Sequence, residues 1–240
     1  MLSTPLSYSA KSVAILGGQS ALASAIFHER LVHRIRALGA MYDDQFPQFL
    51  HFSKSIPGLN FEGLLTKEPH KALLGITSVL QQINPAIMVA PCGSLTLIID
   101  ELMYSGALQK SIFTPVHAIN KLSLLGDSMV FGAGYTHSHS LVTLEKGSVL
   151  YPTDHLQNQL LDLIKSVRTE GPTTLGTATL FDLIGQGCAA GGKQVILACT
   201  ELSVLLQDTE EVIQSLAPDI LFVDGMAVLL NETVASLNKT

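Results

Sequence analysis

The sequence predicts an α/β protein of two pseudo-symmetric lobes, each a mainly parallel sheet flanked by helices, with the active site in the inter-lobe cleft. Three observations predict it. Short apolar runs of strand length alternate along the chain with longer segments of helical spacing, the pattern of parallel sheets joined by right-handed crossovers. The rhythm of the first half returns in the second. In each half, a run typical of a buried strand ends at a cysteine, small or polar residues follow, and a helical pattern begins. The two segments are Met88-Val89-Ala90-Pro91-Cys92-Gly93-Ser94 and Val195-Ile196-Leu197-Ala198-Cys199-Thr200-Glu201.

In order, residues 13–16 read as a short buried strand closed by Gly17-Gly18. Residues 20–36 have helical spacing, with Leu22, Ile26, Leu31 and Ile35 sharing a face. A strand is expected at 49–52, before the Ser55-Ile56-Pro57-Gly58 loop, and a helix at 70–83 that Asn84-Pro85 breaks. Residues 86–90 form the strand delivering Cys92, 95–103 the helix after it, and 112–116 another strand. In the second half, 128–131 is a strand, Gly132-Ala133-Gly134 a turn, and Thr136 stands near a helix start. A short strand at 149–151 ends at Pro152. Helices follow at 156–167 and 179–190, the latter stopped by Gly191-Gly192. Residues 194–198 deliver Cys199, with 202–206 helical, 220–223 a last strand and 226–237 a closing helix. The expected lobes are 1–116 plus 207–240, and 117–206.

Composition narrows the functional classes. The chain has 240 residues, enough for a sizeable core without disulfides or metals. Charged residues are only 14% and apolar residues 47%, and the net charge of −6 argues against a nucleic-acid partner, since phosphate binding needs concentrated Lys and Arg. No apolar run approaches the roughly 20 residues that span a bilayer, and the N-terminus lacks signal-peptide regions. Three cysteines without a pairing pattern indicate reduced thiols and a cytoplasmic setting.

In open parallel sheets, ligands bind beyond the carboxyl ends of the strands. Cys92, Cys199, Gly17-Gly18 and the Gly132-Ala133-Gly134 turn all fall there. A thiol just before a helix feels the positive end of the helix dipole, which is expected to lower its pKa and favour the thiolate. Two thiols facing across a cleft suit racemisation: one removes the α-proton, and the other delivers a proton to the opposite face. The carbanion needs N–H and hydroxyl donors, and Ser94, Thr136 and Thr200 are placed to provide some. A cysteine closing a buried strand is also a common small core residue. Two in parallel settings weigh against that for Cys92 and Cys199, whereas Cys188 lacks such a setting and reads as structural.

Other signals are weaker. Gly17-Gly18 lacks the G-x-G-x-x-G and P-loop patterns of nucleotide sites. His137 and His139 form an H-x-H pair with no carboxylate at fitting spacing, so a substrate contact for His137 is favoured over a metal. Glu201 is either a first-turn acid stabilised by the helix dipole or a group that tunes Cys199. Lys165 and Arg168 read as a solvated helix face. No lysine stands in a recognisable pyridoxal pocket.

The segments Pro91-Cys92-Gly93-Ser94 and Ala198-Cys199-Thr200-Glu201-Leu202 resemble the two signatures of the aspartate/glutamate racemase superfamily, typically Pro-Cys-Asn-Thr and Gly-Cys-Thr-Glu. Val13-Ala14-Ile15-Leu16-Gly17-Gly18 resembles the family's opening strand, Thr114-Pro115-Val116 its inter-lobe strand, and Tyr151-Pro152 with Gln157 its second lobe. The resemblance, most like the aspartate racemase branch, covers nearly the whole chain. It implies a cofactor-independent racemase acting on aspartate, glutamate or a related small amino acid, with Cys92 and Cys199 as the acid/base pair and a homodimer as the assembly. The candidate substrate contacts are Gly17, Gly18, Gln19, Ser53, Gly93, Ser94, Thr136, His137, Thr200 and Glu201, with no metal.

The chain also departs from the family. Gln19-Ser20-Ala21 stands where Met-Gly-Pro is usual, Gly93 where the family has asparagine, and Leu59 where aspartate racemases often carry arginine. A second-lobe lysine aligns near Thr169, beside Arg168. Losing a bidentate guanidinium is not conservative, so the reaction type is carried better than the substrate. The alternatives are a hydantoin-type racemase with a non-acidic substrate, a maleate-type isomerase or decarboxylase, and a catalytically silent member that binds or regulates.

Overall fold

A computed structural model of the chain describes residues 8–56, 68–124, 126–206 and 220–239. Strands β1 (Ser12–Gly17), β2 (Gln48–Ser53) and β3 (Ile87–Val89) form one parallel sheet in the order β2-β1-β3. Strands β4 (Ser128–Phe131), β5 (Val149–Leu150), β6 (Gln194–Leu197) and β7 (Leu221–Asp224) form a second parallel sheet in the order β5-β4-β6-β7. The α/β class, the two parallel sheets and the flanking helices are those expected.

Strands β1, β3, β4 and β6 are mostly apolar and buried because helices cover both faces, whereas the edge strands β2 and β7 carry exposed and polar residues. Along β1, Val13 and Ile15 enter a large core with helix α1 (Ala21–Ala37), while Ala14 and Leu16 point to the other face, against α2 (Glu68–Ile83) and α3 (Thr96–Tyr104). Ser20 caps α1 by accepting from the Ala23 N–H at 3.2 Å. The buried stripe of α1 runs through Ala23, Phe27, Leu31 and Ile35, and Leu22, expected on that face, is exposed. In the second sheet, β4 and β6 are buried along their whole length beneath α6 (Asp154–Glu170) and α7 (Thr174–Ala189).

Two expectations are corrected. Residues 112–116 form no strand; Phe113 makes one isolated parallel bridge to Val89, and α4 (Pro115–Ile119) starts directly afterwards. The reason is local: Thr114 caps the helix through the His117 N–H, and Pro115 at the first helical position has a pre-set φ and no N–H to satisfy. The closing segment also divides differently. Strand β7, expected with the first lobe, hydrogen-bonds to β6 from Gln194↔Leu221 to Leu197↔Asp224. Helix α9 (Gly225–Lys239) crosses back to pack on α1, as well as on α4. An edge strand goes where unpaired N–H and C=O groups are free to accept it, and β6 offers that edge.

Candidate active site

Cys92 sits three residues and Cys199 two residues past a strand end, where the backbone turns from β geometry into helix. Cys92 follows β3 in extended conformation and opens a 3₁₀ turn, Gly93–Leu95, that runs into α3. Cys199 follows β6, also extended, and opens α8 (Thr200–Val204). The two thiols belong to separate apolar clusters, Cys92 with α2 and α3, Cys199 with α1, α6 and α9.

The segments that carry them touch. The Thr200 hydroxyl donates to the Pro91 carbonyl at 3.1 Å. Gly93 lies so close to the other segment that a β-carbon there would stand 2.3 Å from the Ala198 carbonyl oxygen and 3.4 Å from Val116 Cγ2. This is the physical reason for glycine where the resembled family has asparagine: the space a side chain needs is filled by the backbone leading to Cys199.

The Cys199 thiol donates to Glu201 Oε2 at 3.1 Å, and Arg168 of α6 donates through Nε to Glu201 Oε1. Glu201 is 3% exposed, and Cys92 and Cys199 are 8% and 6% exposed. Burial pushes the Cys92 thiol up from 9.0 to about 11; the Glu201 charge adds to the rise, and Arg168 and the Leu95 and Ser94 N–H groups oppose it. Cys199 is pushed well above the ordinary thiol value by burial and then by Glu201, its charge and its hydrogen bond. The expected lowering of both thiols is therefore reversed. Cys199 precedes a helix of little more than one turn and Cys92 a 3₁₀ turn rather than the first turn of α3, so the dipole acting on either thiol is small and desolvation outweighs it.

A raised thiol makes stability depend on alkaline pH. The unfolded chain loses the Cys92 proton near pH 9 and the folded chain near 11, so this contribution is full below pH 9 and lost as pH rises to 11. The expected loss is about 3 kcal/mol. Urea denaturation from pH 8 to 11 should show a falling midpoint in the native protein and a flatter curve in Cys92→Ala. Parallel curves would exclude this origin.

A chain of hydrogen bonds holds the Cys92 turn from behind. The Thr96 hydroxyl donates to the Gly93 carbonyl at 2.7 Å, so the Thr114 hydroxyl donates to Thr96 Oγ1, also at 2.7 Å. The Thr114 N–H donates to His117 Nδ1 at 3.3 Å, which leaves Nε2–H to donate to Asp100 Oδ1 at 2.9 Å. The network places a ring proton on Nε2.

The other sequence-derived residues separate into two groups. Gly17, Gly18, Gln19 and Ser53 share the carboxyl edge of the first sheet, where Gly17 pairs with Ser53 and Gln19 donates to the Ile56 carbonyl. Gly18 has φ +111° and lies against the Lys54 backbone, a conformation and a closeness that require glycine. Thr136 and His137 lie on α5 (Gly134–Ser138), which packs against the Gly93–Leu95 turn. The Thr136 hydroxyl and the Gln157 Oε1 are buried with no hydrogen-bond partner among the described residues. Both flank Gly132, whose carbonyl accepts from Gln157 Nε2 at 3.0 Å. His137 lies against the Tyr151 ring and His139 against Tyr135, and the described residues hold no cluster of three or more metal-ligating side chains. Leu59 lies outside the described residues.

Sequence reasoning missed the partnership of Arg168 with Glu201. Arg168 read as part of a solvated face, but Glu201 lies 33 positions away and only packing of α6 against α8 brings them together. No local signal announces it. Lys165, by contrast, pairs with exposed Asp162, as a solvated face requires.

No protein-family model matches the sequence, and no curated protein matches it. Solved structures do. An aspartate racemase from Picrophilus torridus superposes with a TM-score of 0.69 at 16% identity, covering 95% of this chain and 94% of that one. An aspartate racemase homologue from Pyrococcus horikoshii gives 0.65 at 14% identity over 95% and 99% of the two chains. A glutamate racemase from Thermus thermophilus gives 0.60 at 12% identity over 96% and 82%. The chain has the fold of the aspartate/glutamate racemases, aspartate racemases ranking first. No helix among the described residues is long and apolar enough to cross a membrane.

Proposed function

We propose that the protein is a cofactor-independent racemase that inverts the α-carbon of a small amino acid by proton transfer between Cys92 and Cys199, working as a cytoplasmic homodimer. The observation that carries this reading is the direct contact of the two cysteine-bearing segments, each at the carboxyl edge of its own sheet. The fold shared with aspartate and glutamate racemases supports it. One thiol, as thiolate, takes the α-proton; the other gives a proton to the opposite face. The Ser94 and Leu95 N–H groups face the Cys92 sulfur, and the unpartnered Thr136 hydroxyl offers a donor for a substrate carboxylate.

The test is α-proton exchange in deuterium oxide, followed by NMR with a panel of L- and D-amino acids. Both enantiomers of one amino acid should lose the α-proton signal. Cys92→Ala and Cys199→Ala should each lower the rate at least ~100-fold, the smaller end of what a positioned acid or base contributes. Absence of exchange with every amino acid would rule out this reading.

One observation favours a second substrate class. Arg168 is engaged by Glu201, and Gly93 leaves no room for an amide. A hydantoin-type, non-acidic substrate brings no extra carboxylate that needs those donors, so hydantoins belong in the same panel.

A further inference from the structure

We infer that Cys199 and Glu201 hold one proton between them, and that Glu201 takes the proton of Cys199 when that thiol acts as a base. The inference rests on the two-thiol reading above and gives Glu201 a role different from contacting substrate. Both of its carboxylate oxygens are engaged by the protein: Oε2 by the Cys199 thiol and Oε1 by Arg168. The Thr200 hydroxyl lies 3.5 Å from Oε2, but its one proton is used on the Pro91 carbonyl.

Two anions 3.1 Å apart in a site this buried cannot both be ionised. A Cys199 thiolate therefore exists only beside a protonated Glu201. The Arg168 guanidinium, paired with Glu201 Oε1, supplies a positive charge that leaves the carboxylate, rather than the sulfur, ionised at rest. Transfer inside the pair changes no net charge, so the thiolate forms without moving charge into a desolvated site.

The step balances. The S–H bond of Cys199 breaks with its electron pair left on sulfur, and the proton forms an O–H bond on Glu201 Oε2. The thiolate takes the α-proton, leaving the C–H pair on carbon. Cys92 gives its proton to the opposite face and becomes the thiolate. Glu201 then returns its proton to Cys92 through water, and the site is reset with no net gain or loss of protons.

The test reads thiol ionisation directly, apart from turnover. Iodoacetamide alkylation of each cysteine is followed by peptide mass spectrometry from pH 6 to 10 in the native protein and in Glu201→Gln. Removing the carboxylate charge while Arg168 still faces the thiol should move the pH midpoint for Cys199 alkylation down by at least ~1 pH unit. Racemisation should fall ~100-fold or more, because the proton acceptor is gone. Opposite movement of thiol ionisation and turnover is the signature, and a merely structural role would not produce it. Arg168→Gln reverses the sign for Cys199, moving its midpoint up, and serves if Glu201→Gln does not fold. An unchanged or raised midpoint in Glu201→Gln overturns the shared proton. If the native protein exchanges no substrate, the racemase reading fails, while the alkylation midpoints still decide the Cys199–Glu201 pair.

Discussion

Gly93→Ala is expected to destabilise the protein by about 3 kcal/mol, and Gly93→Asn by more. The cause is a steric conflict with backbone. A β-carbon at residue 93 would meet the Ala198 carbonyl oxygen at 2.3 Å, far inside van der Waals contact, and neither partner is a side chain that can swing away. Relief requires the Cys92 turn and the Cys199 segment to separate, which breaks the Thr200–Pro91 hydrogen bond and moves the thiols apart. Thr96 and Thr114 resist that movement by holding the Gly93 carbonyl from the other side. Urea denaturation measures the stability loss, and α-proton exchange should fall with it, since small misplacements of reacting groups cost large factors in rate. A Gly93→Asn variant as stable as the native protein would show that the two segments do not pack this way in solution.

Asp224→Ala is expected to cost about 3 kcal/mol, at the strand position that pairs with Leu197, two residues before Cys199. Asp224 ends β7 and is held from three directions, by two hydrogen bonds and an ion pair. The Met226 N–H donates at 2.9 Å, capping α9; Ser203 of α8 donates to the same oxygen; and Arg30 of α1 lies 3.8 Å from the other. Burial raises its pKa despite these partners, so desolvation outweighs what they return. The carboxylate is thus not worth much as a charge. Its removal is costly because a buried Ser203 hydroxyl and a helix N-terminal N–H lose their acceptor and the Arg30 guanidinium loses its counter-charge. Asp224→Asn keeps an acceptor oxygen and should lose at most about 1 kcal/mol. Thermal and urea unfolding of the two variants separates these outcomes; equal losses would mean that the charge itself, not the acceptor, holds the four elements together.

Two elements are decided by more than local sequence. Thr114-Pro115 carried a plain helix-start signal, yet the apolar residues around it looked like a strand, and the short period of four or five residues cannot separate the two. Strand β7 was legible as a strand, but its neighbour was not, because an edge is chosen by which hydrogen-bonding groups remain free after the rest has assembled.

By itself, the sequence determined the α/β class, nearly every strand and long helix, and the placement of Cys92 and Cys199 at strand ends. Those properties follow from periodicity and from the residues that stop it, which act over a few positions along the chain. Only the tertiary structure decided what surrounds the thiols. Their raised pKa values come from burial, Glu201 is paired with an arginine 33 positions away, and Gly93 is forced by a carbonyl in the other half of the chain. Desolvation, ion pairing and steric contact depend on distance in space. That distance exists only once the two sheets have come together.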